Sequence, residues 1–123
     1  MKKKILIIDD EEDMQIYLKT LFRKAGYDTE VAGNGEEALQ SIKKAQPDLI
    51  TLDIFMPKVS GLSFFKALHE KLGDREIPVI VLSGLAGHQE FFKGESFPGP
   101  TAFVDKPIVP DSFLAKAKEM LGE

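Results

Sequence analysis

The sequence predicts an α/β protein built on a parallel sheet. Three observations carry this: short β-rich runs alternate with helical periodicity from end to end, several of those runs are continuously apolar, and no repeat or Gly/Ser linker interrupts them. With 123 residues, 43% of them apolar, the chain can bury one core, and a single domain over residues 1–123 is expected.

Ile5 to Ile8 is an apolar run of strand length, as in a strand covered on both faces. Met14, Tyr17, Leu18, Leu21, Phe22 and Ala25 then recur at three- and four-residue steps, and Gly26 stops the first helix. Tyr27, Thr29 and Val31 alternate with Asp28, Glu30 and Ala32, which predicts a second strand nearer an edge, turning at Gly33-Asn34-Gly35. Ala38, Leu39, Ile42 and Ala45 give a second helix, Pro47 breaks it, and Leu49 to Leu52 forms a third strand ending on Asp53. Leu62, Phe65, Leu68 and Leu72 form a third helix capped by Ser60, and Val79 to Leu82 is a fourth strand ending on Ser83. The fourth helix is short or irregular. Gly87 and Gly94 each cost a helix interior roughly 1 kcal/mol, and Pro98-Gly99-Pro100 forbids continuation. Ala102 to Val104 is a brief fifth strand leading to Asp105-Lys106-Pro107. Phe113, Leu114, Ala117, Met120 and Leu121 then supply a fifth helix behind Asp111 as cap.

Sixteen basic against twenty acidic side chains leave a net charge of −4, so neither nucleic acid nor an anionic membrane is attracted, and direct DNA binding is not expected. Lys2 to Lys4 precede only four apolar residues before Asp9, too few for a signal-peptide core or a membrane span. A cytoplasmic location follows as the expectation. With no cysteine, disulfide and thiolate chemistry are excluded.

In an open α/β sheet, ligands bind beyond the carboxyl ends of the strands, where the winding reverses. Those ends carry Asp9 and Asp10, Asp53, Ser83 and Lys106. Three carboxylates brought together repel unless one is protonated or a cation sits between them, and a few carboxylates with water and phosphate oxygens suit Mg2+. Lys106 adds a positive charge and Ser83 a hydroxyl, completing the parts for in-line phosphoryl transfer to a carboxylate. Each residue alone has a plainer reading. The acids after the first strand favour a helix amino terminus, Asp53 caps a turn and Ser83 starts a helix. Only the set points to chemistry.

The set lies within Ile7-Ile8-Asp9-Asp10-Glu11, Asn34-Gly35-Glu36-Glu37-Ala38-Leu39, Pro47-Asp48-Leu49-Ile50, Asp53-Ile54-Phe55-Met56-Pro57 with Gly61, Pro78-Val79-Ile80 ahead of Ser83, and Lys106-Pro107. In this order the segments resemble the receiver domain of bacterial response regulators along essentially the whole chain. The resemblance implies a doubly wound, flavodoxin-like (βα)5 fold with strand order 2-1-3-4-5. It implies Asp53 as phosphoacceptor. Asp10, Asp53 and the backbone carbonyl of Phe55 become direct Mg2+ ligands, and Asp9 acts through water. Ser83 and Phe103 become the switch pair, and Lys106 the partner of the phosphoryl oxygens. In the family the Lys-Pro bond is commonly cis, which makes Lys106-Pro107 a candidate. A sensor histidine kinase or histidine phosphotransfer protein is the implied donor, and a downstream output protein or domain the implied reader. The chain suits either a stand-alone regulator or the receiver of a longer one. In the family the residues two after the acceptor and two after the hydroxyl influence self-hydrolysis; here these are Phe55 and Leu85, which cannot hydrogen-bond an attacking water, so the resemblance implies slow loss of the phosphoryl group.

Other functions fit less well. A flavodoxin-like cofactor binder needs a phosphate-cradling loop after the first strand, where this chain has Asp9-Asp10-Glu11-Glu12-Asp13. A Mg2+-dependent aspartyl-phosphate phosphatase places its nucleophile after the first strand and its acid pair downstream, the reverse of the order here. A degenerate receiver serving only as an interaction module has nothing to recommend it, because every site position is chemically intact.

Overall fold

A computed structural model describes residues 2–53, 70, 77–83 and 101–123, with Ser83 described by its backbone alone. The apolar runs form five strands: β1 (Lys4–Ile8), β2 (Asp28–Ala32), β3 (Leu49–Asp53), β4 (Val79–Ser83) and β5 (Thr101–Asp105). They pair in parallel in the order β2-β1-β3-β4-β5. Among the described residues the helices are α1 (Glu12–Lys24), α2 (Gly35–Lys44) and α3 (Pro110–Met120), the last being the one the sequence counts fifth. Residues expected to form the third and fourth helices, with Ser60 as a cap, lie outside the described part.

Period-two geometry explains why the central strands are apolar at successive positions. Leu6, Ile8, Ile50, Leu52, Val79 and Val81 enter one cluster with Ala38 and Ile42 of α2. The intervening Ile5, Ile7, Leu49, Ile80 and Leu82 enter a second with Leu18 and Phe22 of α1 and Phe113 and Ala117 of α3. Each strand therefore feeds both cores. Phe22 centres the second one, its ring 5.6 Å from Phe113 and 6.0 Å from Tyr27.

Gly26 ends α1 as expected, at φ 97°, a left-handed conformation that costs a glycine little. There the Gly26 N–H donates to the Arg23 carbonyl and the Tyr27 N–H to that of Phe22, both at 3.1 Å, a Schellman closure with its apolar Phe22–Tyr27 contact. Gly122 repeats the device after α3, where the Glu123 N–H donates to the Lys118 carbonyl at 2.9 Å. The Tyr27 hydroxyl also reaches Glu123 Oε1, and Lys3 Nζ donates to the Leu121 carbonyl at 2.6 Å.

Three local expectations are corrected. Asp111 does not cap α3: Val109 is the extended residue before it, Pro110 takes the first helical position that proline favours, and Asp111 lies in the acidic first turn. Gly33-Asn34-Gly35 is a helix start rather than a strand turn, since the Asn34 side chain accepts from the Glu37 N–H. Ala32, counted in the polar row of β2, is buried against α2. Strand β2 does lie at the sheet edge.

Candidate functional site

The winding reverses between β1 and β3, which are neighbours in the sheet but not in the chain. Their carboxyl ends deliver Asp9, Asp10 and Asp53 to the crevice that topology opens there. One carboxylate oxygen from each lies within 4.8 Å of the others. Asp9 and Asp53 are buried and Asp10 is exposed. Lys106, just past β5, places Nζ 3.5 Å from Asp53 Oδ2. The described structure thus brings four of the predicted site residues together.

Asp9 is held at three atoms. Its N–H donates to the Ala32 carbonyl at 3.1 Å, its carbonyl accepts from Gln15 Nε2 at 2.6 Å, and its Oδ1 accepts from the Glu11 N–H at 2.9 Å. Oδ2 is buried and has no hydrogen-bond partner among the described residues. Burial pushes the Asp9 carboxyl up to about 6, against the Glu11 N–H, and the charge of Asp53 raises it further than Lys106 lowers it. A buried carboxylate oxygen facing two more carboxylates without a donor fits a hard divalent cation.

Ser83 ends β4 opposite Asp105, and its side chain lies outside the described part. Phe103, in β5, is half-buried against the α2-side core. The Lys106-Pro107 bond is cis. Phe55, with the carbonyl expected to bind metal, and Leu85 lie outside the described residues, as does the Met56-Pro57 segment. Sequence reasoning missed Gln15. A glutamine in the first turns of a helix carries no signal of its own, and its bond to Asp9 exists only once the turn at residues 9–11 has folded.

Residues 5–118 match the family described as the response regulator receiver domain. The alkaline phosphatase synthesis transcriptional regulatory protein PhoP of Bacillus subtilis is 35% identical over 122 residues, 98% of this chain but 49% of that protein. The polar-differentiation response regulator DivK of Brucella anthropi is 35% identical over 125 residues, covering 100% of this chain and 99% of DivK. Among solved structures, the Vibrio cholerae chemotaxis protein CheY4 superposes with a TM-score of 0.87 at 28% identity, over 98% of this chain and 99% of CheY4. This chain spans about half the length of the first curated relatives it matches.

Proposed function

The chain belongs to the response regulator receiver domain family, and from that premise we propose that Asp53 accepts a phosphoryl group from a phosphohistidine and thereby switches a surface read by an output partner. The observation that carries this is the Lys106–Asp53 ion pair, set beside two further aspartates at the reversal point of the sheet.

Asp53 has the position of a nucleophile. It ends β3 almost wholly buried, beside Lys106 and the other two aspartates, and the transfer requires the phosphorus to approach its carboxylate oxygen in line with the breaking bond. A carboxylate oxygen of Asp53 forms the new P–O bond as the P–N bond of the phosphohistidine breaks, and the electron pair leaves with the imidazole nitrogen. Lys106 holds the resting carboxylate and then meets the charge spread over the phosphoryl oxygens. The Ser83 hydroxyl donates to one of those oxygens, and Phe103 follows Ser83 inward, carrying the change to the β4–β5 side. Asp10 and Asp53, with the Phe55 carbonyl, are the proposed direct ligands of Mg2+, and Asp9 engages it through water. Bound there, Mg2+ supplies the positive charge that cancels carboxylate repulsion and offsets the charge of the incoming group.

The chain is thus a signalling switch rather than a turnover enzyme. Its donor is a sensor histidine kinase or histidine phosphotransfer protein, its reader a downstream protein or domain, and its compartment the cytoplasm. A net charge of −4 argues against nucleic acid as a direct partner, and no helix among the described residues is long and apolar enough to cross a membrane. The flavin-binder and phosphatase readings are not favoured, because the family matched is the response regulator receiver domain, DivK is a response regulator and CheY4 a chemotaxis protein.

Incubation with acetyl phosphate and Mg2+, followed by intact-mass measurement, tests the proposal. One phosphoryl group should be gained, and chelation of the metal should prevent it. No gain, or a gain indifferent to chelation, would contradict the reading.

A further inference from the structure

We infer that Gln15 is a positioning residue for the acidic turn, setting metal affinity from outside the ligand set; the inference rests on the receiver reading above. The Gln15 amide donates to the Asp9 carbonyl at 2.6 Å from the opening of α1. That carbonyl belongs to the same rigid peptide plane as the Asp10 N–H, so fixing it fixes the direction in which the chain enters Asp10. The other two holds on Asp9 act elsewhere. The Ala32 carbonyl engages its N–H and the Glu11 N–H its Oδ1. Among the described residues Gln15 is therefore the side chain that orients the Asp9–Asp10 peptide, and through it the backbone that carries the exposed carboxylate of Asp10.

The glutamine is itself supported. Its own N–H donates to the Glu11 carbonyl at 3.0 Å, and the helix directs its side chain back toward the amino terminus, where the Asp9 carbonyl lies. A Cβ at Gly33 would stand 4.0 Å from Gln15 Nε2, an ordinary contact, and 3.1 Å from Glu37 Oε2, so the turn before α2 lies beside the glutamine and its bare glycine leaves room for the Glu37 carboxylate. Gln15 is half-buried, and removing its amide leaves a buried carbonyl without that donor.

The test titrates wild type and Gln15→Met, an apolar side chain of similar shape, with Mg2+ alone, following the amide resonances of Asp10 and Glu11. Thermal melts verify that both proteins are folded. Groups that orient metal ligands are typically worth ten- to a hundredfold in affinity, and a contact made through backbone belongs at the low end, so Gln15→Met should bind about tenfold more weakly. With acetyl phosphate, its half-saturating Mg2+ concentration should rise by the same factor while the rate at saturating Mg2+ stays within about twofold of wild type. Unchanged affinity in Gln15→Met overturns the inference and leaves the receiver reading intact. A lower saturating rate at unchanged metal affinity also overturns it. A wild-type protein that does not bind Mg2+ overturns the receiver reading and, with it, this one.

Discussion

At Asp9, burial and charge are in conflict. Its carboxyl, wholly buried and beside Asp53, is raised to about 6, so its charged form costs the metal-free fold on the order of 3 kcal/mol at neutral pH. The sign follows from the direction of the shift: the folded state binds the proton more tightly than the unfolded state. The cost is therefore full above about pH 6 and disappears as pH falls through the ordinary carboxylate value of about 4. Asp9→Asn keeps an acceptor for the Glu11 N–H and removes the charge. Without metal it should melt higher than wild type at pH 7, with the gain vanishing by about pH 4; denaturant melts across that range provide the check, and a gain independent of pH would contradict the assignment. Lys106 is expected to separate binding from signalling. Because its charge competes with a cation near Asp53, Lys106→Ala should bind Mg2+ at least as well as wild type yet lose the response to phosphorylation. Markedly weaker metal binding in a calorimetric titration would count against this role. Asp9, Asp10, Asp53 and Lys106 were legible in the sequence because each ends a strand or lies within two residues of its end. Gln15 was not, because its contact runs from the opening of a helix back to a backbone atom six residues earlier.

Helix ends were harder to read than helix bodies. The repeats of Leu18 with Phe22, and of Ala38 with Ile42, locate α1 and α2 because burial imposes the helical period. Caps obey local backbone geometry, which side-chain periodicity does not report. Asn34 illustrates this: flanked by glycines it has the composition of a turn, yet it accepts from the Glu37 N–H at 2.9 Å while its Nδ2 donates to Glu37 Oε2 at 3.1 Å. Asn34→Ala should cost about 1 kcal/mol in a denaturant melt, and a cost near zero would mean that the cap contributes little to α2. Phe22 contributes on a different scale. Wedged between Tyr27 and Phe113, it joins the end of α1 to α3, and Phe22→Ala should cost about 3–5 kcal/mol, measurable by the same method. That loss is a large share of the roughly 5–15 kcal/mol that stabilises a typical domain.

Across the whole molecule, alternation of strand and helix made the α/β class readable, and the two apolar faces of β1, β3 and β4 are its physical cause. Strand order is another matter. No single-strand pattern states which neighbour β1 takes, and the order 2-1-3-4-5 came from the resemblance, which the sheet bears out. That order explains why the acids after β1 and the acid after β3 converge although more than forty residues separate them. On the function proposed above, this convergence makes Asp53 the phosphoacceptor. The direct measurement is to phosphorylate the protein with acetyl phosphate and Mg2+, reduce the acyl phosphate with labelled borohydride, and map the labelled peptide. The account predicts label at Asp53 alone, and none in Asp53→Asn. Label at Asp9 or Asp10 in the wild type, or wild-type labelling of Asp53→Asn, would contradict it.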